Sequence, residues 1–167
     1  MEIDNHADKT VLGSKCLVIY DFNRPVDLSG YDPTSGIQEC ATIIGATAYD
    51  QPVKGQAYML VQNQDIHCKN LTLLCPMQSR SQGVKINELP KFLCTEPDDE
   101  TNAIVAEDTL VSDKKLIIPL SLKGVTSYFT VWKPSIEEYG DEYITHIIMT
   151  DKEPVWEPSE DIFSVQE

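Results

Sequence analysis

The chain of 167 residues is predicted to be mostly β. Short apolar runs rich in β-branched and aromatic residues outnumber helical patterns by about four to one. The strongest of these patterns is a pair of apolar runs on either side of Lys123-Gly124, where a two-residue turn would make a hairpin with one buried face. The predicted cross-strand pairs, seven of whose eight residues are apolar, are Leu122–Val125, Leu120–Ser127, Ile118–Phe129 and Leu116–Val131.

Shorter patterns predict the strands of the first half. Residues 16–20 form a continuous apolar run, which predicts a strand buried on both faces. Turn-forming residues follow it, with a short strand expected at 26–28. Two further strands are expected at 40–49 and 58–61, and the proline and glycine of residues 50–55 predict the hairpin loop between them.

The rest of the chain contains one helix signal and two more strand signals. Proline fits the first turn of a helix, and this predicts a short helix at 76–81 that ends at Gly83. Strands are expected at 84–87 and 143–149.

These elements predict a division of the chain into four parts. Residues 1–93 form a β domain, and the acidic residues 94–101 form a solvated connector because clustered like charges repel one another. Residues 102–152 form a β-hairpin extension, and residues 153–167 form a flexible acidic tail.

Composition narrows the classes of function. The chain has 27 acidic and 13 basic residues, a formal net charge of −14, which repels phosphate backbones and argues against direct nucleic-acid binding. No apolar run approaches the roughly 20 residues of a membrane span. Met1 leads directly into charged residues, which predicts that there is no signal peptide. We therefore expect an intracellular, cytoplasmic protein without membrane contact.

The five cysteines are an odd number and include no CxxC pair. In an intracellular protein this predicts reduced, mostly buried thiols without disulfides. The positions are Cys16, Cys40, Cys68, Cys75 and Cys94.

The segment near the N-terminus carries the candidate chemistry. If it is extended, Asp4, His6 and Asp8 project from one face, which makes either a reactive site or a solvated strand end. A zinc or manganese site is an alternative. Because the three side chains would spread over about 13 Å of strand, no metal is expected. His67 and His146 have no evident partner and are predicted to be surface or satisfied core residues.

Four stretches of the sequence resemble copia-type retrotransposon polyproteins. Asp4-Asn5-His6-Ala7-Asp8 is similar to their D-S-H-A-D element, which resembles the Asp-Ser/Thr-Gly-Ala signature of retropepsin-like aspartic proteases. Residues 45–52 resemble the A-T-A-Y-D-x-P hairpin, and residues 70–80 resemble N-L-L-C-P-M-Q-x-R. Residues 118–129 resemble I-P-L-S-L-x-G-V-x-S-x-F. Together these stretches cover most of residues 2–134.

The resemblance implies a retropepsin-like β-barrel half for the N-terminal domain and an aspartic-type endopeptidase, a hydrolase that acts as a homodimer. Asp4 and Asn5 would stand at the catalytic positions, with His6 and Asp8 in support. The substrate would be a peptide or polyprotein, and no cofactor is implied. A hairpin would cover the substrate as a flap. The flap candidates are Ala46, Tyr49, Asp50, Pro52 and Gly55.

Two residues depart from the protease signature. His6 stands where retropepsins have glycine, and Asn5 replaces the serine or threonine whose hydroxyl braces the dimer. These departures leave a second interpretation open, in which the chain is a non-enzymatic remnant that acts as a structural or dimerisation module.

Overall fold

The computed structural model describes residues 1–29, 36–68, 72–107, 115–150 and 156–158. Within these ranges the prediction of a mostly-β fold is confirmed, since twelve strands accompany only short helices. The strands are β1 (Glu2–Ile3), β2 (Val11–Leu12), β3 (Leu17–Ser29), β4 (Ile37–Gln51), β5 (Gln56–His67), β6 (Leu73–Leu74), β7 (Lys85–Asn87), β8 (Ala103–Glu107), β9 (Lys115–Pro119), β10 (Ser121–Lys123), β11 (Thr126–Tyr128) and β12 (Thr145–Thr150). The helical elements are α1 (Pro76–Ser81), α2 (Ile136–Tyr139) and a 3-10 turn (Lys91–Leu93).

The described strands form two sheets. The larger sheet has nine strands in the order β10-β11-β1-β6-β2-β5-β4-β3, with β12 alongside β5. The smaller sheet has the order β7-β8-β9. β5 is the central strand of the larger sheet because it pairs with three other strands. β4 pairs with β5 along the whole of β5, β12 pairs with the first half of β5, and β2 pairs with the last residues of β5.

The predicted hairpin at residues 40–61 is confirmed and is longer than expected. β4 and β5 are antiparallel, and Gln51 pairs with Gln56 across a four-residue loop. Gly55 closes the loop with a φ of +60°, and its N–H donates to the carbonyl of Gln51 at 2.8 Å. A positive φ is cheap for glycine, which explains why the sequence has one at this point.

The prediction that residues 16–20 are buried on both faces is wrong. Cys16 is buried, but Tyr20 is 55% exposed and Val18 is 40% exposed. The reason is position, since β3 lies at one edge of the larger sheet and, among the described strands, pairs with β4 alone. β3 is also irregular, because Asn23 has a φ of 52° and the pairing with β4 shifts between Asp21 and Pro25.

The predicted C-terminal hairpin exists, but its predicted register is wrong. Leu122 pairs with Ser127 and Lys123 with Thr126, so the turn consists of Gly124 and Val125. The turn needs a positive φ, and Gly124 adopts +63° where Lys123 would be strained.

The hairpin is also shorter than predicted, because the chain bends at Leu120. The buried side chain of Asn102 donates to the Leu120 carbonyl at 2.8 Å, and the Leu120 N–H donates to the Asn102 carbonyl at 2.8 Å. Beyond this bend β9 pairs with β8. The predicted pairs Ile118–Phe129 and Leu116–Val131 therefore do not form.

The apolar side chains of this region nevertheless enter one core with those of the N-terminal half. Phe129 is 3% exposed and meets the Tyr49 ring edge-on, with ring centres 6.3 Å apart. Other members of the core from the two halves are Ile3, Leu60, Leu74, Leu116, Ile118, Leu120 and Val131.

Three shorter elements occur where the sequence predicts them. The helix at 76–81 has the predicted bounds, and Gly83 follows it with a φ of 84°. The strands expected at 84–87 and 143–149 correspond to β7 and β12.

The acidic connector 94–101 is a mostly exposed loop that joins two paired strands, because Ile86 of β7 lies opposite Ile104 of β8. The predicted tail at 153–167 lies outside the described residues except for positions 156–158. Among the helices that the structure describes, none has the length and apolar character needed to cross a membrane.

The buried ring of Phe129 gives a stability prediction. Phe129→Ala should lower the free energy of unfolding by about 3–5 kcal/mol, because it removes a buried ring and leaves a cavity beside Tyr49. Urea denaturation measures the effect. The matched control is Leu122→Ala on the same hairpin, where the side chain is 38% exposed and about 1 kcal/mol or less is expected. Equal losses in the two variants would contradict the packing described here.

Candidate active site

Asp4 lies in a tight turn immediately after β1. Its carbonyl accepts the N–H of Ala7 at 3.2 Å, and its carboxylate Oδ1 accepts the N–H of His6 at 2.9 Å. Aspartate and asparagine favour this kind of turn because the side chain can bind the backbone two residues further on. The segment is therefore not extended, so the condition under which Asp4, His6 and Asp8 would project from one strand face is not met.

The two strands that flank this turn are held by one strand between them. β6 pairs with β1 in parallel, through Ile3 and Leu74, and with β2 in antiparallel, through Val11 and Leu73. The Asp4 N–H also donates to the carbonyl of Leu74 at 3.1 Å. Both ends of the turn are thus fixed to the same support, which leaves the Asp4 carboxylate partly exposed at a defined place.

The other predicted site residues point into different surroundings. The Asn5 amide donates to both carboxylate oxygens of Glu88, at 3.0 and 3.3 Å. His6 and Asp8 are exposed, and the backbone N–H of His6 donates to the Asp4 carboxylate. No group of three or more histidine, cysteine or acidic side chains within the described ranges could hold a metal ion.

The flap candidates divide into two groups. Ala46 and Tyr49 are buried and belong to the body of the hairpin, where Ala48 exchanges two backbone hydrogen bonds with Trp132. Asp50, Pro52 and Gly55 lie at the exposed tip. The described residues of the tip are therefore exposed, whereas the body of the hairpin is packed.

A buried polar network lies behind the turn, and sequence reasoning missed it. Gln78 of α1 accepts the Thr10 N–H through Oε1 at 2.8 Å and donates through Nε2 to Asp65 Oδ1 at 2.6 Å. Thr10 Oγ1 accepts the Cys75 N–H at 3.1 Å, and the Thr150 hydroxyl donates to Asp65 Oδ2 at 3.0 Å. The network connects the end of the Asp4 segment to α1, β5 and β12.

Asp65 is the unusual member of this network because its ionisable carboxyl group is fully buried. Burial raises the pKa of its carboxyl to about 7, while the hydrogen bonds from Gln78 and Thr150 and the charge of Lys9 oppose the rise. Sequence reasoning does not predict this burial, since Asp65 ends the polar run Gln62-Asn63-Gln64-Asp65, which is typical of a solvated strand end. The only usable signal was that an apolar residue, Ile66, follows that run.

His67 has a hydrogen-bond partner, whereas His146 has a ring contact. His67 is partly buried, and its Nδ1 lies 2.8 Å from the Leu12 carbonyl. His146 lies in β12 with its ring 4.8 Å from the Tyr139 ring. Neither side chain joins the Asp4 turn.

A cleft on the β4–β5 hairpin lies away from the Asp4 turn. Its volume is about 750 Å³, and its lining includes Arg24, Glu39, Cys40, His67 and Cys68.

A search for known proteins with the same family pattern, a similar sequence or a similar solved structure finds no match.

The raised pKa of Asp65 predicts how stability changes with pH. The folded state holds the proton more tightly than the unfolded state, so the contribution of Asp65 is most favourable below pH 3.8 and is lost as pH rises through about 7. Asp65→Asn keeps an acceptor for Gln78 and removes the buried charge. The stability of the variant relative to the unchanged protein should therefore rise by up to about 4 kcal/mol across this range.

Urea denaturation at a series of pH values tests this. Asp27→Asn, which removes one carboxyl at an exposed position, is the matched control. A difference for Asp65→Asn that does not vary with pH would show that the Asp65 carboxyl titrates normally.

Proposed function

We propose that the chain is one protomer of a homodimeric, retropepsin-like aspartic endopeptidase and forms a segment of a retrotransposon polyprotein. The observation that carries this proposal is the setting of Asp4. A partly exposed carboxylate lies in a turn whose two flanking strands are both hydrogen-bonded to β6. Catalytic groups need such fixed placement, since an error of about 1 Å can cost about 100-fold in rate.

The chemistry requires a second carboxylate. Two carboxyl groups near contact cannot both ionise readily, so one stays neutral and polarises the scissile carbonyl while the other activates water. The element that resembles the protease signature occurs once in this sequence, at Asp4. A two-fold axis that brings together the Asp4 turns of two copies would complete the pair.

The surroundings of the turn suggest how the other residues contribute. Asn5 is tied to Glu88, and Glu88 lies 3.7 Å from the Arg80 guanidinium. This chain of contacts fixes the outer side of the turn to α1 and β7. Asn5 would thereby position the Asp4 backbone, in place of the hydroxyl that braces the dimer in retropepsins.

Substrate would bind as an extended peptide across the two Asp4 turns, beneath the hairpin tips. The exposed tip at residues 52–55 is the part of the hairpin that can close over a peptide. The main-chain groups of an extended peptide would supply most of the affinity, as they do when a peptide adds to a sheet.

The second candidate is a non-enzymatic structural or dimerisation module. One observation favours it, namely that Asp4 Oδ1 already accepts the His6 N–H and so closes its own turn. An aspartate that serves only to hold a turn would need no catalytic partner. The two candidates differ in whether the Asp4 charge matters for hydrolysis or only for the fold.

A comparison of single substitutions tests the protease proposal. Asp4→Asn should abolish cleavage of a peptide library, because an amide can neither ionise nor share a proton with a second carboxyl. Asp8→Asn should retain cleavage. The unchanged protein should be more active at acidic pH, where one of the two carboxyls is protonated. Mass spectrometry of the peptide products gives the readout.

The matched control is Asp99→Asn in the exposed connector, which makes the same change of charge away from the turn. Sedimentation of each variant shows whether it dimerises, and urea denaturation shows whether it folds. Full cleavage by a folded Asp4→Asn variant would overturn the catalytic assignment. If the unchanged protein is folded and dimeric but cleaves nothing at any pH, the structural module is the correct interpretation.

A further inference from the structure

Two cysteines lie opposite each other at the base of the β4–β5 hairpin. The register pairs Thr42 with Ile66 and Ala41 with His67. One step further along the same register, Cys40 of β4 faces Cys68, the residue that follows β5. Side chains that face each other across antiparallel strands lie on the same side of the sheet.

The hydrogen bonds of β5 show which kind of pair this is. The N–H groups of Ile66 and Cys68 donate to β2, to the carbonyls of Thr10 and Leu12 at 3.1 and 3.0 Å. Their backbone groups therefore point away from β4, and Cys40 and Cys68 form a non-hydrogen-bonded pair. In such pairs the Cα atoms lie about 4.5 Å apart, which is within the range that a disulfide can span.

The two sulfur atoms also share their surroundings. Cys40 and Cys68 are 5% and 7% exposed and belong to one small apolar cluster with Val11 and Ile66. Burial raises the pKa of the Cys40 thiol to about 11, and the neighbouring Cys68 thiol adds to the rise. An effect of one thiol on the other requires that the two groups lie close together.

The remaining cysteines have other surroundings. Cys16 packs with Leu12 and Ile43 in a separate cluster, and Cys75 caps α1. Cys94 follows the 3-10 turn and is only partly buried. All five are free thiols in this structure.

A small reagent can reach the pair. Both cysteines line the cleft of about 750 Å³ on the hairpin, together with Arg24 and Glu39. The Cys68 thiol donates to the Gln38 side chain at 3.1 Å, a single contact that a reagent or a new bond can replace.

We propose that Cys40 and Cys68 are a redox-active thiol pair that closes to an interstrand disulfide when it meets a low-molecular-weight disulfide such as oxidised glutathione. The reaction needs no other oxidant. One protein thiol, as its thiolate, attacks the reagent, forms a mixed disulfide and releases one reduced thiol. The second protein thiol gives its proton to water as its sulfur attacks the mixed disulfide, which releases a second reduced thiol. Two protein thiols are oxidised and one reagent disulfide is reduced.

The proposal is independent of the Asp4 chemistry. The predicted site of reversible modification lies at Cys40 of β4 and at Cys68, just after β5, and is reached from the cleft and not from the Asp4 turn. A reductant such as dithiothreitol should restore both thiols.

Peptide mapping of the folded, full-length protein tests the pair. The protein is incubated with oxidised glutathione, the remaining thiols are alkylated, and the chain is digested with trypsin and a protease specific for glutamate. Cleavage after Glu39 separates Cys40 from Cys16, and cleavage after Lys54 separates Cys40 from Cys68. We expect a cross-linked product that joins the peptides beginning at Cys40 and at Gly55, with the loss of two hydrogen atoms per chain.

Two variants make the result specific. Cys68→Ser should abolish the loss of two hydrogen atoms, whereas Cys94→Ser, which removes a cysteine outside the pair, should leave it unchanged. Circular dichroism establishes that each variant is folded, and the mapping of the unchanged protein stands even if one is not. Mixed disulfides without a cross-link, pairing that involves another cysteine, or no reaction in the folded protein would each overturn the proposal.

Discussion

The buried carboxylate of Asp65 is the constraint on which the arrangement of the larger sheet depends. A carboxyl group without solvent must have hydrogen-bond partners, because an unsatisfied buried polar group costs several kcal/mol. Its partners come from α1 and from the end of β12, through Gln78 and Thr150. Gln78 then reaches Thr10, next to β2. The hydrogen bonds of the Asp65 carboxyl, directly and through Gln78, thus hold α1, the end of β12 and the residue before β2 against β5.

The Asp4 turn depends on this network indirectly. The network fixes Thr10 and α1, and these residues bracket the turn and the strand β6 that supports it. A turn held from both sides keeps its carboxylate in one place, whatever that carboxylate is used for. The same network also makes the fold sensitive to pH near neutrality, since the pKa of Asp65 lies at about 7.

Local patterns in the sequence predict the local elements well. The bounds of α1 followed from Pro76 and Gly83, and the β4–β5 loop followed from its proline and glycine. The register of the second hairpin was wrong because an apolar pairing pattern does not locate the turn, whereas the positive φ of Gly124 does. The Asp4 turn was missed because alternation alone cannot distinguish an extended strand from a turn closed by its own side chain.

The network around Asp65 could not be predicted for a different reason. Its two side-chain partners lie 13 and 85 residues away along the chain. No local pattern shows that a polar residue will meet partners at such distances, and a polar run usually indicates exposure. The alignment of Cys40 with Cys68 could not be predicted from the loop at residues 52–55 either, because the register of the hairpin shifts by one residue between Ile43 and Ile44.

The irregularity of β3 has a consequence for the protein in a crowded solution. An unpaired strand edge of 13 residues would be a template on which other chains could add end to end and form fibrils. The left-handed backbone at Asn23 and the missing N–H of Pro25 break that edge into two short pieces. The exposed side chains of Tyr20 and Val18 therefore lie on an interrupted edge, which is a poorer template for the addition of another strand than a regular edge would be.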